Sequence, residues 1–115
     1  MRVRPPSRPA GRLAAAGLLL ALWPALAQAG DPQAGKRKAG QCQTCHGMDG
    51  VAKIPQAPNL AGQQELYLKK ALTDYKTGAR RNEMMSLVAP ALSEQDIDDL
   101  AAYYSAIPVE VKAPP

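Results

Sequence analysis

Cys42-Gln43-Thr44-Cys45-His46 sets two thiols two residues apart and an imidazole directly after the second. This is the spacing at which a haem is attached covalently. Each thiol adds to one vinyl group of the macrocycle, and the adjoining histidine ligates the iron. Three side chains within five residues then hold one cofactor. Other uses of the run suit its surroundings less well. A thioredoxin-like redox pair follows a hydrophobic strand in a βαβ pattern, whereas Gly35 to Gln41 is polar and basic with no β-branched residue. A structural zinc takes about four ligands, and the chain has no further Cys or His. A simple dithiol or disulfide is the remaining alternative, and it leaves His46 unexplained.

Toward the N-terminus, Arg2, Arg4, Arg8 and Arg12 precede an apolar stretch from Leu13 to Leu26, and Ala27-Gln28-Ala29 follows. Basic start, apolar middle and small-x-small triplet are the parts of a secretory signal peptide. The apolar stretch is interrupted by Pro24 and is shorter than the roughly 20 residues that span a bilayer. No cysteine precedes Cys42, which leaves no site for a lipid at the cleavage point. We expect a cleavable signal over residues 1–29, export to the periplasm, and no stable membrane insertion afterwards.

The charge follows the same division. The whole chain has 14 basic and 10 acidic residues, a formal net charge of +4, yet four of the arginines lie in the signal. Residues 30–115 are balanced, and two haem propionates would tip them slightly acidic. The basic balance therefore belongs to export and gives no reason to expect nucleic acid as a partner.

What remains is one small domain, a size at which side chains alone bury little surface. The chain has no Phe, and Tyr67, Tyr75, Tyr103 and Tyr104 are its only aromatics after the signal. A haem supplies the missing core. Three helices are legible. Asp31-Pro32 is an N-cap followed by proline at the first helical position, opening a short helix to about Gln41. A second runs from about Gln63 to Thr77, with Leu68, Ala71, Leu72 and Tyr75 at spacings of three and four and Gly78 as its stop. Ser93-Glu94-Gln95-Asp96 reads as a capping box. Ile97, Leu100, Ala101 and Tyr104 then form an apolar stripe that Pro108 ends. No segment reads as a strand, and Val109 to Pro115 should be frayed.

The iron takes a sixth ligand. His46 is the only histidine, so a second imidazole from the same chain is excluded. Met48 is too close to His46 to reach the opposite face of the ring, which leaves Met84 and Met85. Nearly forty residues separate them from His46, enough chain to pass around a porphyrin edge. Either methionine could equally be core packing.

These residues together resemble the class I cytochromes c, and among them the small bacterial monohaem cytochromes and the single domains of the periplasmic dihaem ones. The resemblance covers the whole chain after the signal, residues 30–115, of which 30–108 would be the haem domain and 109–115 a flexible tail. It rests on Cys42 to Gly47, Pro58-Asn59-Leu60-Ala61-Gly62-Gln63, Arg81-Asn82-Glu83-Met84-Met85, and Leu92-Ser93 leading into a helix that ends Ala101-Ala102-Tyr103-Tyr104. It implies an all-α fold of four to five short helices around one covalent haem c. It also implies Met85 as the axial thioether, eight residues before Ser93, with Met84 as the runner-up. The Pro58 carbonyl would accept the Nδ1 proton of His46. The first and last helices would cross, with the Gly35 turn against the Leu100 to Tyr104 face.

With His46 and Met85 on the iron, both axial positions are filled, and the resemblance implies an electron carrier with no bond-making chemistry of its own. It implies redox proteins as partners, a monomeric or weakly associated state, and a small, transient docking contact around the exposed haem edge. Lys53, Lys69, Lys70, Arg80 and Arg81 are the candidates for that contact. Two other functions use the same fold: a haem subunit of a larger oxidoreductase or oxidase, and a haem enzyme or gas sensor whose sixth ligand is displaced.

Overall fold

In the computed structural model, which describes residues 29–115, Asp31 starts the first helix. Its carboxylate accepts from the Gln33 N–H at 2.8 Å, and Pro32 takes the first helical position. Five α-helices follow in order: α1 Pro32–Lys38, α2 Gln43–His46, α3 Glu65–Thr77, α4 Met85–Val88 and α5 Glu94–Ser105. Two 3₁₀ turns, Ala39–Gln41 and Ala89–Ala91, lead into α2 and out of α4. Among the described residues there is no strand, and no helix is long and apolar enough to cross a membrane. The expected signal peptide lies outside the described residues except for Ala29.

Helix boundaries differ slightly from the sequence reading, each for a local reason. The first helix tightens to 3₁₀ after Lys38. The third begins at Glu65 rather than Gln63, because Gln64 is extended and its N–H goes to the Gln63 side chain at 2.9 Å. It stops at Gly78, which is left-handed at φ +82°. The last helix starts from the expected box: Ser93 Oγ accepts from the Asp96 N–H at 3.0 Å, and Asp96 Oδ2 accepts from the Ser93 N–H at 2.9 Å. It ends at Ser105, three residues short of Pro108. The Tyr104 carbonyl there accepts from the Gly62 N–H at 3.0 Å, and a residue preceding proline is disfavoured in helix.

α5 is the spine of the molecule. Ile97, Leu100, Ala101 and Tyr104 are buried as the stripe predicts, and Leu68 and Leu92 close over them, with Leu72 packed at the edge. α1 crosses α5 at Gly35. A Cβ there would stand 2.6 Å from the Asp99 carbonyl carbon and 2.7 Å from Tyr103 Cβ, so only glycine lets the backbones approach this far. The buried Asp99 carboxylate accepts from the Asp31 N–H at 2.8 Å and from Gln95 Nε2 at 2.7 Å, tying the start of α1 to the middle of α5. Lys38 and Asp96 pair at 2.9 Å on the far side of the crossing.

The apolar core is meagre. Among the described residues nine hydrophobic ones are buried, four of them alanine, and no large side chain is fully enclosed. Side chains this small bury too little surface for a domain of this size to stand comfortably without another source of burial. After Ala106 there is no helix. Val109 lies against Gly62, and residues 110–115 are exposed.

Candidate haem attachment site

Cys42 ends the 3₁₀ turn and Cys45 and His46 lie in the single turn of α2, so the helix geometry turns the motif into one short surface. Both thiols are free and half-buried. Burial first, and the neighbouring Cys45 second, push the Cys42 thiol above its usual range. The zinc alternative finds no support in the side-chain geometry: among the described residues no three or more His, Cys, Asp or Glu converge to hold one ion.

His46 is buried, and its Nδ1 lies 2.9 Å from the Pro58 carbonyl. A carbonyl only accepts, so Nδ1 carries a proton, which in the neutral ring leaves the lone pair on Nε2. The ring is thus held in the tautomer that can bind a metal through Nε2. This contact is the one that the resemblance implied for Pro58.

The loop from Gly47 to Gly62 sets that carbonyl in place. Gly47 closes α2 at φ +72°, a conformation that side chains with a Cβ rarely take. The Gly50 carbonyl accepts from the Leu60 and Ala61 N–H groups at 2.8 and 3.1 Å, and the Lys53 N–H returns to the Cys45 carbonyl at 2.8 Å. Asn59 Oδ1 accepts from the Ala52 N–H at 2.8 Å. α5 reaches the same loop. Tyr104 donates its hydroxyl to the Gly47 carbonyl at 3.1 Å, and Tyr103 donates to the Met48 carbonyl at 2.7 Å. Burial raises the Tyr104 phenol well above its usual range, so it stays a donor. The sequence reading took Tyr104 as part of an apolar stripe. A helical period reports which face is buried and is blind to where a hydroxyl points.

Met84 and Met85 stand where α4 begins. Met85 is half-buried, whereas Met84 is 57% exposed. Asn82 Oδ1 accepts from both of their N–H groups at 3.0 Å, and Ser86 Oγ accepts from the Asn82 N–H at 3.0 Å. This fixes the backbone at Met85. Asn82 was not singled out from the sequence, although an asparagine just before a short helix is a readable cap.

The basic candidates divide into two groups. Lys53 pairs with Asp49 at 2.9 Å, Lys69 with Glu65 and Asp98 at 3.1 Å each, and Lys70 with Asp74. Arg80 and Arg81 have no carboxylate partner among the described residues. The Arg80 guanidinium lies over the Tyr75 ring, 4.8 Å from its centroid. A hydrogen bond with Tyr67, and then the nearby Tyr75, lift it further above its usual range.

Two thiols and an imidazole brought together by one turn of helix form a donor set that fits a covalently held haem iron, two methionines stand at the start of α4, and the small core leaves the burial that such a ring supplies. A family model described as Cytochrome c matches residues 32–106. Over 82 residues the chain is 49% identical to cytochrome c4 of Thiocapsa roseopersicina, an alignment spanning 70% of this chain and 42% of that protein. It is 45% identical over 80 residues to cytochrome c-554(548) of Halomonas halodenitrificans, spanning 67% of this chain and 96% of the relative. Among solved structures, reduced recombinant cytochrome c4 from Pseudomonas stutzeri superposes with a TM-score of 0.64 at 42% identity, over 68% of this chain and 46% of that one. The chain therefore spans less than half the length of these two cytochromes c4 and nearly the whole of the c-554(548).

Proposed function

Because the chain belongs to the cytochrome c family, whose members carry covalent haem c and its iron, we propose that it is a periplasmic electron-transfer protein, exported by residues 1–29 and built as one haem domain over 30–108 with a short tail, 109–115. Haem c, when bound, supplies a one-electron iron couple. Cys42 and Cys45 are its points of attachment. His46 would offer Nε2 to the iron, and Met85 its thioether. Met85 is preferred to Met84 because it is half-buried, whereas Met84 is exposed.

The chain's own residues do three things in this reading. The Pro58 carbonyl fixes the tautomer and plane of His46, which makes the imidazole a better donor. The Met85 thioether would raise the potential relative to harder ligands. With His46 and Met85 both given to the iron, no donor site would be left for a substrate, and the protein would act as a carrier between redox proteins rather than as an enzyme.

The observation that carries the proposal is the His46 Nδ1 to Pro58 contact directly beside two free thiols. The test is haem staining of the purified, exported protein on a denaturing gel, with the visible spectrum of both oxidation states. We expect stain to travel with the polypeptide and a weak red-edge band of thioether-to-ferric ligation. Cys42→Ser combined with Cys45→Ser should lose the stain. A wild-type chain that releases its haem on denaturation, or a double variant that keeps it, would overturn the proposal.

A further inference from the structure

α5 holds both ends of the loop that orients His46. At the loop's start, the hydroxyl of Tyr104, a residue 3% exposed, donates to the Gly47 carbonyl; at its end, the Tyr104 backbone carbonyl accepts from the Gly62 N–H. Tyr103 adds the Met48 carbonyl at 2.7 Å. Between these anchors the loop is cinched at Gly50 and tied back to Cys45 through Lys53. The Pro58 carbonyl that meets His46 therefore lies on a segment whose two ends are held by one residue, 57 positions beyond the first end and 42 beyond the second.

The hydroxyl is not needed for burial, since a benzene ring would fill the same volume. Its position in the core instead carries a cost of about 1–3 kcal/mol if unpaired, and it is paired to the carbonyl of the residue that directly follows His46. We propose that Tyr104, with Tyr103 beside it, is a positioning residue for the axial imidazole: through the 47–62 loop the last helix sets the hydrogen bond from His46 Nδ1 to Pro58, and with it the reduction potential. This rests on the haem reading given above. A firm Nδ1–H bond to a carbonyl makes Nε2 more basic, and a more basic donor stabilises ferric over ferrous iron. Slackening the loop should weaken that bond and raise the potential.

The test is Tyr104→Phe in the haem-loaded protein, read by redox titration and by exchange of the His46 ring N–H. Covalent haem and the thioether band should persist. The ferric–ferrous equilibrium should move about threefold toward ferrous, against a scale of 59 mV per tenfold for one electron, and the ring proton should exchange faster. Ile97→Val is the control, being buried on the same helix without a bond to the loop; it should lose stability and keep the wild-type potential. An unchanged potential in Tyr104→Phe, or an equal shift in Ile97→Val, overturns the proposal. Should Tyr104→Phe fail to fold, Tyr103→Phe is read in the same way, and an unchanged potential there overturns it equally. Failure of the underlying reading looks different, since the wild-type chain would then hold no covalent haem to titrate.

Discussion

Replacing Gly35 with alanine inserts one methyl group between α1 and α5 and tests the helix crossing on which the site is built. The new carbon would lie 2.6 Å from the Asp99 carbonyl carbon and 2.7 Å from Tyr103 Cβ, where carbons in contact prefer about 3.5–4.0 Å. One obstacle is backbone and the other is a Cβ, so neither rotates away, and the helices must part by roughly 1 Å. Overpacking of this kind costs about 1–3 kcal/mol. Separation also stretches the Asp31 N–H bond to Asp99, 2.8 Å, and the Lys38 pair with Asp96, 2.9 Å, each worth about 1 kcal/mol or less. The lower chain entropy of alanine returns about 0.4–1 kcal/mol, leaving a net loss of about 2–4 kcal/mol in a domain whose total is of the order of 5–15. Gly40→Ala is the matched control. Nothing lies within 4 Å of its Cβ position, and Gly40 is not among the glycines with positive φ, so the substitution should be neutral or slightly stabilising. Urea unfolding of the haem-loaded proteins, followed by far-ultraviolet circular dichroism and by haem absorbance, measures both. A Gly35→Ala protein within about 0.5 kcal/mol of wild type, or a Gly40→Ala protein equally damaged, would refute the close crossing.

Three further outcomes are expected. Met85→Ala should lose the thioether band and let carbon monoxide bind the reduced protein, whereas Met84→Ala, at an exposed position, should keep the spectrum and cost no more than about 0.5 kcal/mol; reversed spectra would move the ligand to Met84. Lys38, and after it the Ser93 N–H, lower the Asp96 carboxyl from 3.8 to about 2. A depressed carboxyl contributes stability above its unfolded pKa and loses it as the pH falls through the folded one. Asp96→Asn should therefore cost about 1 kcal/mol at neutral pH after screening, with the difference from wild type closing between about pH 4 and pH 2, as acid titrations of both would show. Neutralising Arg80 and Arg81 together should slow electron transfer to an acidic partner at low ionic strength and leave the haem spectrum unaltered, because complementary charge acts mainly on encounter. Stopped-flow rates that do not change with salt or with the substitutions would mean that the two arginines only solvate the surface.

The sequence by itself determined the chemistry and the local structure, because both are written in short-range patterns. Five consecutive residues pointed to the proposed attachment site, the single histidine eliminated a second imidazole from this chain, and Asp31-Pro32 and Ser93 to Asp96 specified helix starts through caps that reach only two or three residues. The choice between Met84 and Met85 was different. Elimination left both, and only the resemblance favoured one; the structure adds that Met85 is half-buried and Met84 exposed, a difference between adjacent residues that composition cannot register. Tertiary structure alone decided which carbonyls the tyrosine hydroxyls of α5 reach and that Lys69 also meets Asp98, whereas the pairs of Lys53, Lys69 and Lys70 with Asp49, Glu65 and Asp74 are local ones four positions apart, and among the described residues Arg80 and Arg81 have no carboxylate beside them. It also decided that the Tyr104 carbonyl, whose helical partner Pro108 has no N–H, accepts from Gly62. These contacts join residues that lie from four to nearly sixty positions apart and hang on angstrom-scale approach. The helical period places a side chain on the buried face, but where its polar atom ends depends on how closely α1, α5 and the 47–62 loop pack, and that closeness rests on the missing side chain of Gly35.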